Sequence, residues 1–257
     1  MAVSKHGPNE FAPRGMHAPF FHPETLPQAG EYALPDDVVR HVQVLRMRAD
    51  DEMRLFDGSG GEVRAILRDL GKRHARVELG ERLAISRESP LTLCLAQGVS
   101  TGERMDFTLQ KGVELGISVF QPLVTERAVL RLGGERAGRK TERWRDIVQA
   151  ACEQCGRNTI PEVLPSMSLD AFLQQSLEAS HRLLLSPVGN RRLADYAPPQ
   201  GKVWLMAGPE GGLSDGEEQA AFTRGWTPLA LGPRVLRTET AALAAAAALQ
   251  TVWGDLG

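Results

Sequence analysis

The residues best suited to chemistry lie in two stretches near the C-terminus. The first, LMAGPEGGLSDGE at 205–217, sets Pro209 and three glycines directly after an apolar run, with one acid, Glu210, among them. Glycine exposes N–H and C=O groups without a Cβ in the way, so such a corner can press main chain against a ligand. Ser214 and Glu217 form S-x-x-E, the pattern of a capping box, so a helix begins just past the glycines with its first N–H groups beside them. The second stretch, LGPRVLRTETAALAAAAALQTVW at 231–253, has another Gly-Pro corner, then Arg234 and Arg237, then Thr238-Glu239-Thr240 at the head of a helix. Thr238 is the expected N-cap, and Glu239 complements the helix dipole. A phosphate cradle is the first chemistry to test. Neither G-x-x-x-x-G-K-[ST] nor a G-x-G-x-x-G after a strand occurs, which excludes the usual triphosphate and dinucleotide loops. The residues alone leave a ligand loop and a tight, ligand-free strand-to-helix turn both open.

The elements that must position these corners alternate. LTLCLAQGV (91–99) is a continuous apolar run suited to a strand buried on both faces, and GERMDFTLQKGVELG follows as a helix stopped by Gly116. VFQPLV, HRLLLSP, KVWLMAG and TPLALG are further strands, with helices at about 141–156, 168–179, 215–224 and 239–253. This order calls for an α/β fold, a parallel sheet flanked by helices, whose ligands settle at the carboxyl ends of the strands. The corner after KVWLMA then lies at the mouth. The last helix, about 15 residues or roughly 22 Å long, carries small residues on every face, which predicts close packing on several sides.

Upstream the grammar is mostly β. MRLF, DGSGGE and EVRAIL read as a hairpin around a Gly-rich turn, ARVEL as a further strand, and PDDVVRHVQVLRM as one short helix. The predicted divisions are a loose, polar tail over 1–15, a small β domain over 16–88 and the α/β domain over 89–257. Across 257 residues, 42% are hydrophobic and 24% charged, enough for a real core. The net charge of −2 gives no global pull toward nucleic acid, so any RNA contact must come from local patches. Three cysteines are too few for a disulfide framework. The N-terminus lacks the apolar core of a secretory signal, and the longest apolar run, AALAAAAAL, is about half of a membrane span. A cytoplasmic protein is expected. Five of six histidines lie in the first 74 residues without ligand spacing, so no metal is predicted.

Two further stretches admit competing readings. In RWRDIVQAACEQCGRN the C-x-x-C suggests redox chemistry or zinc. Helical spacing instead places Cys152 and Cys155 on the apolar face with Trp144, Val148 and Ala151, and Gly156 where the helix should stop, which favours packing. Residues 127–145 hold seven Arg or Lys, with Glu126, Glu135 and Glu142 the acids in and beside them. That run suits a phosphate backbone or a solvated helix face.

AGPEGGLS followed about 20 residues later by LGPRVLRTETAALAA resembles the C-terminal signature of SPOUT-class, S-adenosylmethionine-dependent RNA methyltransferases. QKGVELGISVFQPLVTER (110–127) and ACEQCGRNTIPEV (151–163) are similar to the RsmE family, which methylates N3 of a uridine in 16S ribosomal RNA of the small (30S) subunit. The likeness runs from about residue 19 to the end. It implies a deep trefoil knot in the C-terminal domain, a bent cofactor in the knotted loops, a homodimer, and a PUA-like β-barrel as the N-terminal RNA-binding domain. One departure concerns the N-terminus, where the family carries an Arg before its first aromatic pair; here Ala18 and Pro19 precede Phe20 and Phe21, leaving Arg14 as the substitute.

On this resemblance S-adenosylmethionine, which has no phosphate, is bound by Ala207, Gly208, Pro209, Glu210, Gly211 and Gly212 at one corner. Leu231, Gly232, Val235, Leu236 and Thr240 bind it at the second, and Leu185, Ser186 and Pro187 at a third. Arg237 stabilises the uridine anion and Glu239 serves as a base; a loop-bracing arginine and a helix-terminal charge are their structural alternatives. RNA contact falls to Arg46 and Arg48 in VLRMRADDEMRLFDG, to Lys111 and Glu114, and to Gln154 and Arg157. Two other functions stay open: a knotted methyltransferase acting on another RNA, and a non-catalytic RNA-binding ribosome-assembly factor.

Overall fold

The computed structural model describes residues 19–23, 25–27, 29–128, 135–186, 189 and 191–257. The tail expected over 1–15, together with Arg14, Ala18, Arg131 and Pro187, lies outside them. The chain divides into two compact units, one ending at Ser86 and the other beginning at Arg87.

The first unit contains β1 (Phe20–Phe21), β2 (Gly30–Ala33), α1 (Asp36–Val44), β3 (Glu52–Phe56), β4 (Glu62–Leu70) and β5 (Ala75–Leu83). Its sheet runs β1-β3-β4-β5-β2, antiparallel except where β1 lies parallel to β3. Alternate residues of β4, Val63, Ala65 and Leu67, meet Val38, Val39 and Val42 of α1 in one core. The predicted hairpin closes at DGSGG because Asp57 gathers four donors: Ser59 N–H and Oγ, Leu26 N–H and Arg82. The strands β1 and β2 are too short to show alternation, so pattern alone does not reveal them.

The second unit contains β6 (Leu93–Gly98), α2 (Glu103–Glu114), β7 (Ile117–Val124), α3 (Glu135–Cys155), β8 (Glu162–Val163), β9 (Met167–Ser168) and α4 (Leu169–Leu173). It continues with β10 (His181–Leu185), β11 (Val203–Ala207), α5 (Asp215–Thr223), β12 (Thr227–Leu229) and α6 (Thr238–Trp253). Every strand pair is parallel, in the order β12-β10-β11-β6-β7-β8 with β9 also on β7. The strands β6 and β11 are buried along their whole length, as their unbroken apolar runs require. From β6 the chain builds outward to β7 and β8, then returns to add β10, β11 and β12 on the other side. The carboxyl ends of β11, β10 and β12 therefore stand side by side.

The helix α3 starts at Glu135, about two turns before the predicted 141. Those turns are polar, so they continue the helix by propensity without an apolar period to betray them. The helix α4 stops at Leu173, well short of 179. On α6, Ala242, Ala245, Ala246, Leu249 and Gln250 are buried, whereas Thr240, Ala244, Thr251 and Val252 are exposed. Among the described residues, close packing is thus confined to one face of α6. Gln250 anchors the far end: its Nε2 donates to Leu115 O at 3.0 Å and its Oε1 accepts from Ser89 Oγ at 2.6 Å. No helix among the described residues is long and apolar enough to cross a membrane.

Arg157 corrects an expectation. Only 4% exposed, it lies inside rather than on an RNA-facing surface. Its guanidinium pairs with Glu88 and donates to the carbonyls of Val113 at 3.0 Å and Ile117 at 2.8 Å. Gly156, at φ +82°, ends α3 and turns the next residue inward to brace the junction of α2 and β7. Removing one partner of a buried pair leaves an uncompensated charge. Arg157→Met is expected to destabilise the protein by about 3 kcal/mol, with Arg157→Lys recovering little of the loss; urea unfolding measures both.

Candidate functional site

The first corner is built by close approach of main chain to main chain. A Cβ on Gly208 would meet Leu213 N at 2.8 Å and Gly212 C at 2.9 Å, and one on Gly98, at the end of β6, would overlap the nitrogen and ring of Pro209. Gly212 is required for another reason: its φ is +68°, while the space around it is open. The capping box forms as its spacing predicts, with Ser214 Oγ accepting from Glu217 N and Glu217 Oε2 accepting from Ser214 N. From the segment after β7, Glu126 N donates to Glu217 Oε1, and Arg127 donates to the carbonyls of Gly211 and Leu213. Arg127, read as part of a basic run, therefore serves as a strap across the glycine loop.

Glu210 accepts on one oxygen from Thr101 N–H at 2.8 Å, Thr101 Oγ1 at 2.7 Å and Arg104 at 3.2 Å. Burial works to raise its carboxyl, but these donors outweigh it and hold the group below the usual glutamate range. The acid among the glycines thus ties the loop to the β6–α2 connection. Nearby, burial pushes the Glu218 carboxyl up; Asp215 adds to this, while Ser186 and Arg127 oppose it.

The second corner follows β12 through Leu231 and Gly232, the latter at φ +101°. The helix α6 begins at Thr238 itself, so Arg237 occupies the N-cap position and gives no side-chain cap. Thr238 is not the N-cap. Its hydroxyl turns across to the first corner and donates to Gly208 O at 2.5 Å. The third corner, Leu185 and Ser186, ends β10.

These corners enclose one cavity of about 530 Å³. Its walls include Leu185 and Ser186, the run Ala207, Gly208, Pro209, Glu210, Gly211 and Gly212, then Leu231, Gly232, Val235 and Leu236. Arg237 and Glu239 also face it. Thr240 does not: it is exposed, turned about 100° from Glu239 around the helix. Pro187 lies outside the described residues. Sequence reasoning set Arg234 at the second corner, where it lines the cavity, but missed Arg104 and Glu218 as wall residues and Thr238 as a tie between corners. The carboxyl-end rule, applied to β6 as it was to β11, points to Thr101 and Arg104.

The positions assigned to RNA are not in this cavity. Arg46, at φ +56°, and Arg48 are exposed on either side of buried Met47. Lys111 and Glu114 pair with each other at 2.7 Å on α2, and Gln154 is exposed on α3. Several cations of α3 are locally engaged: Arg143 with Asp106, Arg145 with Glu142 and Arg139 with Glu135. Cys152 is fully buried, and burial pushes its thiol up to about 12 and raises that of Cys155 as well. Both behave as apolar packing groups, not thiolates.

Residues 87–250 match the family model described as RNA methyltransferase domain, and residues 34–80 that described as RNA methyltransferase PUA domain. The Ribosomal RNA small subunit methyltransferase E of Buchnera aphidicola subsp. Acyrthosiphon pisum is 32% identical over 225 residues, covering 87% of this chain and 89% of that protein. The protein of the same name from Bacillus subtilis is 28% identical over 235 residues, with 88% and 92% covered. Among solved structures, a Ribosomal RNA small subunit methyltransferase E from Neisseria gonorrhoeae bound to S-adenosyl methionine superposes with a TM-score of 0.89 at 45% identity, covering 94% of this chain and 100% of that one. A protein of Legionella pneumophila in complex with the bound cofactor SAM gives 0.89 at 38% identity, covering 93% and 99%.

The anchoring of the glycine loop carries a pH dependence. A depressed folded-state pKa contributes stability above the unfolded value, here near 4.5, and that contribution disappears as pH falls through the lower folded value. Thermal unfolding should show Glu210→Gln less stable than wild type at pH 7, with the gap closing in acid below the ordinary glutamate range. A gap of equal size at both pH values would count against the anchoring role.

Proposed function

The chain belongs to the RNA methyltransferase family whose members are named Ribosomal RNA small subunit methyltransferase E, and from that premise we propose that it methylates N3 of a uridine in 16S ribosomal RNA, using S-adenosylmethionine. The observation that carries this reading is the convergence of three strand-end corners on one cavity whose walls are largely glycine-rich main chain, Leu and Val, with Arg104, Arg234 and Arg237 as its cations and no phosphate-loop lysine. Such walls suit an adenosyl group that lacks phosphate. Gly208 to Gly212 and Leu231 to Leu236 would hold the cofactor, with Leu185 and Ser186 closing the third side. When bound there, it supplies an electrophilic methyl group on a sulfonium.

The chain's own residues must manage the pyrimidine. N3 of uridine carries a weakly acidic proton that has to leave before the lone pair can attack, so a base or a cation stabilising the anion is required. Arg237, exposed at the cavity mouth, provides the cation. Glu239 provides the base: its Oε2 is buried and has no hydrogen-bond partner among the described residues. Arg104 and Arg234 on the same rim are suited to the flanking phosphates.

The reading extends to partners. The first unit, with Arg46 and Arg48 exposed, acts as the RNA-binding module, and the substrate is 16S RNA in the 30S subunit. The uncharged, uncovered face of α6 supports a homodimer, since an exposed helix without charge is unusual in a free chain. The deep trefoil knot and a cytoplasmic site of action belong to the same proposal.

A methyl on N3 blocks Watson–Crick pairing, so reverse transcription of small-subunit RNA treated with protein and S-adenosylmethionine should halt at one uridine. Cofactor binding without a stop would direct attention to another base or another RNA; no cofactor binding in calorimetry would favour a non-catalytic RNA-binding protein. Gly212→Val forces a β-branched residue into a left-handed backbone and is expected to abolish cofactor binding with the fold retained, as read by calorimetry and circular dichroism.

A further inference from the structure

We infer that Gln97 and Thr238 form a positioning device that sets Arg237 and Glu239 against the cofactor corner, an inference that rests on the methyl-transfer reading of this cavity. Gln97 is the polar exception in β6, where Leu93, Cys94, Leu95 and Ala96 are all buried and apolar. It is itself 1% exposed and sits opposite Ala207, the last residue of β11. An amide is costly in such a place unless it is bonded, so its partners explain its presence. Nε2 donates to Thr238 Oγ1 at 2.8 Å, Gly98 O at 3.1 Å and Gly208 O at 3.2 Å. The Thr238 hydroxyl, accepting from Gln97, in turn donates a hydrogen bond to Gly208 O.

One amide hydrogen of Gln97 serves Thr238 and the other faces the two glycine carbonyls, so Gly208 O accepts from both Gln97 and Thr238, while Gln97 Oε1 is buried and has no hydrogen-bond partner among the described residues. Three elements remote in sequence are thereby fastened at one point: the end of β6, the first residue after β11 and the first residue of α6. The N-terminus of α6 has no side-chain cap from Arg237, so this triangle takes over the task of fixing its first turn. Thr238 lies between the cation and the base proposed for the reaction, and Gly208 heads the loop that walls the cofactor. A shift of the triangle moves both groups relative to the methyl donor.

The two ends of α6 are thus held by different glutamines with different tasks. Gln250 ties the far end to Ser89 and Leu115, away from the cavity, and serves the fold. Gln97 holds the near end and serves the geometry of transfer.

The test is steady-state methylation of small-subunit RNA at saturating S-adenosylmethionine, with melting temperature recorded for each variant. Thr238→Val keeps the side-chain volume and removes only the hydroxyl; Gln97→Leu removes the amide. Each should lower kcat by roughly 10- to 100-fold, the scale on which misplaced catalytic groups act, with KM for RNA changed little. Thr238→Ser should restore most of the rate. The double variant should be no slower than the worse single one, because both act through one network. Gln250→Met should lower the melting temperature while kcat stays near wild type. An unchanged kcat in Thr238→Val, a Ser variant as slow as Val, multiplicative losses in the double variant, or an equal loss of kcat in Gln250→Met would each overturn the device. Should Gln97→Leu not fold, Thr238→Val and Thr238→Ser decide the matter. A wild type that methylates no RNA is a different failure: it removes the functional reading, and the device falls with it.

Discussion

The whole site depends on how closely the backbone leaving β11 approaches the end of β6. Gly98 has no room for a Cβ because Pro209 occupies that space, and Gly208 has none because the loop folds back through Gly212 and Leu213. Two buried parallel strands can bring their carboxyl ends this near only if glycine stands at the point of contact. The loop is then compact enough to leave a cavity on its outer side, where the ends of β10 and β12 add the remaining walls. Strand order makes this possible, since β12, β10 and β11 are neighbours although β12 follows β11 in sequence.

Backbone packed this tightly exposes polar groups that need partners, and side chains from distant segments supply them. Glu210 reaches Thr101 and Arg104, Arg127 reaches the carbonyls of Gly211 and Leu213, and Gln97 and Thr238 reach Gly208. Each bond is of a kind that contributes modestly when made and is costly to lose in a buried setting. Together they turn a glycine-rich segment, which would otherwise carry large conformational entropy, into a fixed surface. A preorganised surface suits a reaction whose rate depends on alignment.

The last helix has two faces with separate uses. Ala242, Ala245 and Ala246 let its backbone lie close to the sheet and α2, while Thr240, Ala244, Thr251 and Val252 leave the other face uncharged and open. Small residues permit close approach on both sides, but among the described residues only the first side is filled.

Much of the architecture was legible in the residues themselves. Apolar runs located the buried strands, S-x-x-E marked the start of α5, glycines marked the ends of α2 and α3, and the two Gly-Pro corners pointed to the cavity; each is a local feature, governed by period, dihedral preference or capping. Where sequence reasoning failed, the cause was long range. Thr238 has the residue type and position of an N-cap, yet its hydroxyl is claimed by a carbonyl 30 residues away. Arg157 reads as a surface cation, but the half-buried carboxylate of Glu88 and two carbonyls, all about 40 residues or more distant, draw it inside. Glu210 and Thr101 are 109 residues apart, and Gln97 and Thr238 are 141 apart. Residue types determined which groups could bond and where the chain could bend; only the packing of the sheet decided which partners came within reach, because side-chain direction follows from the elements that surround it.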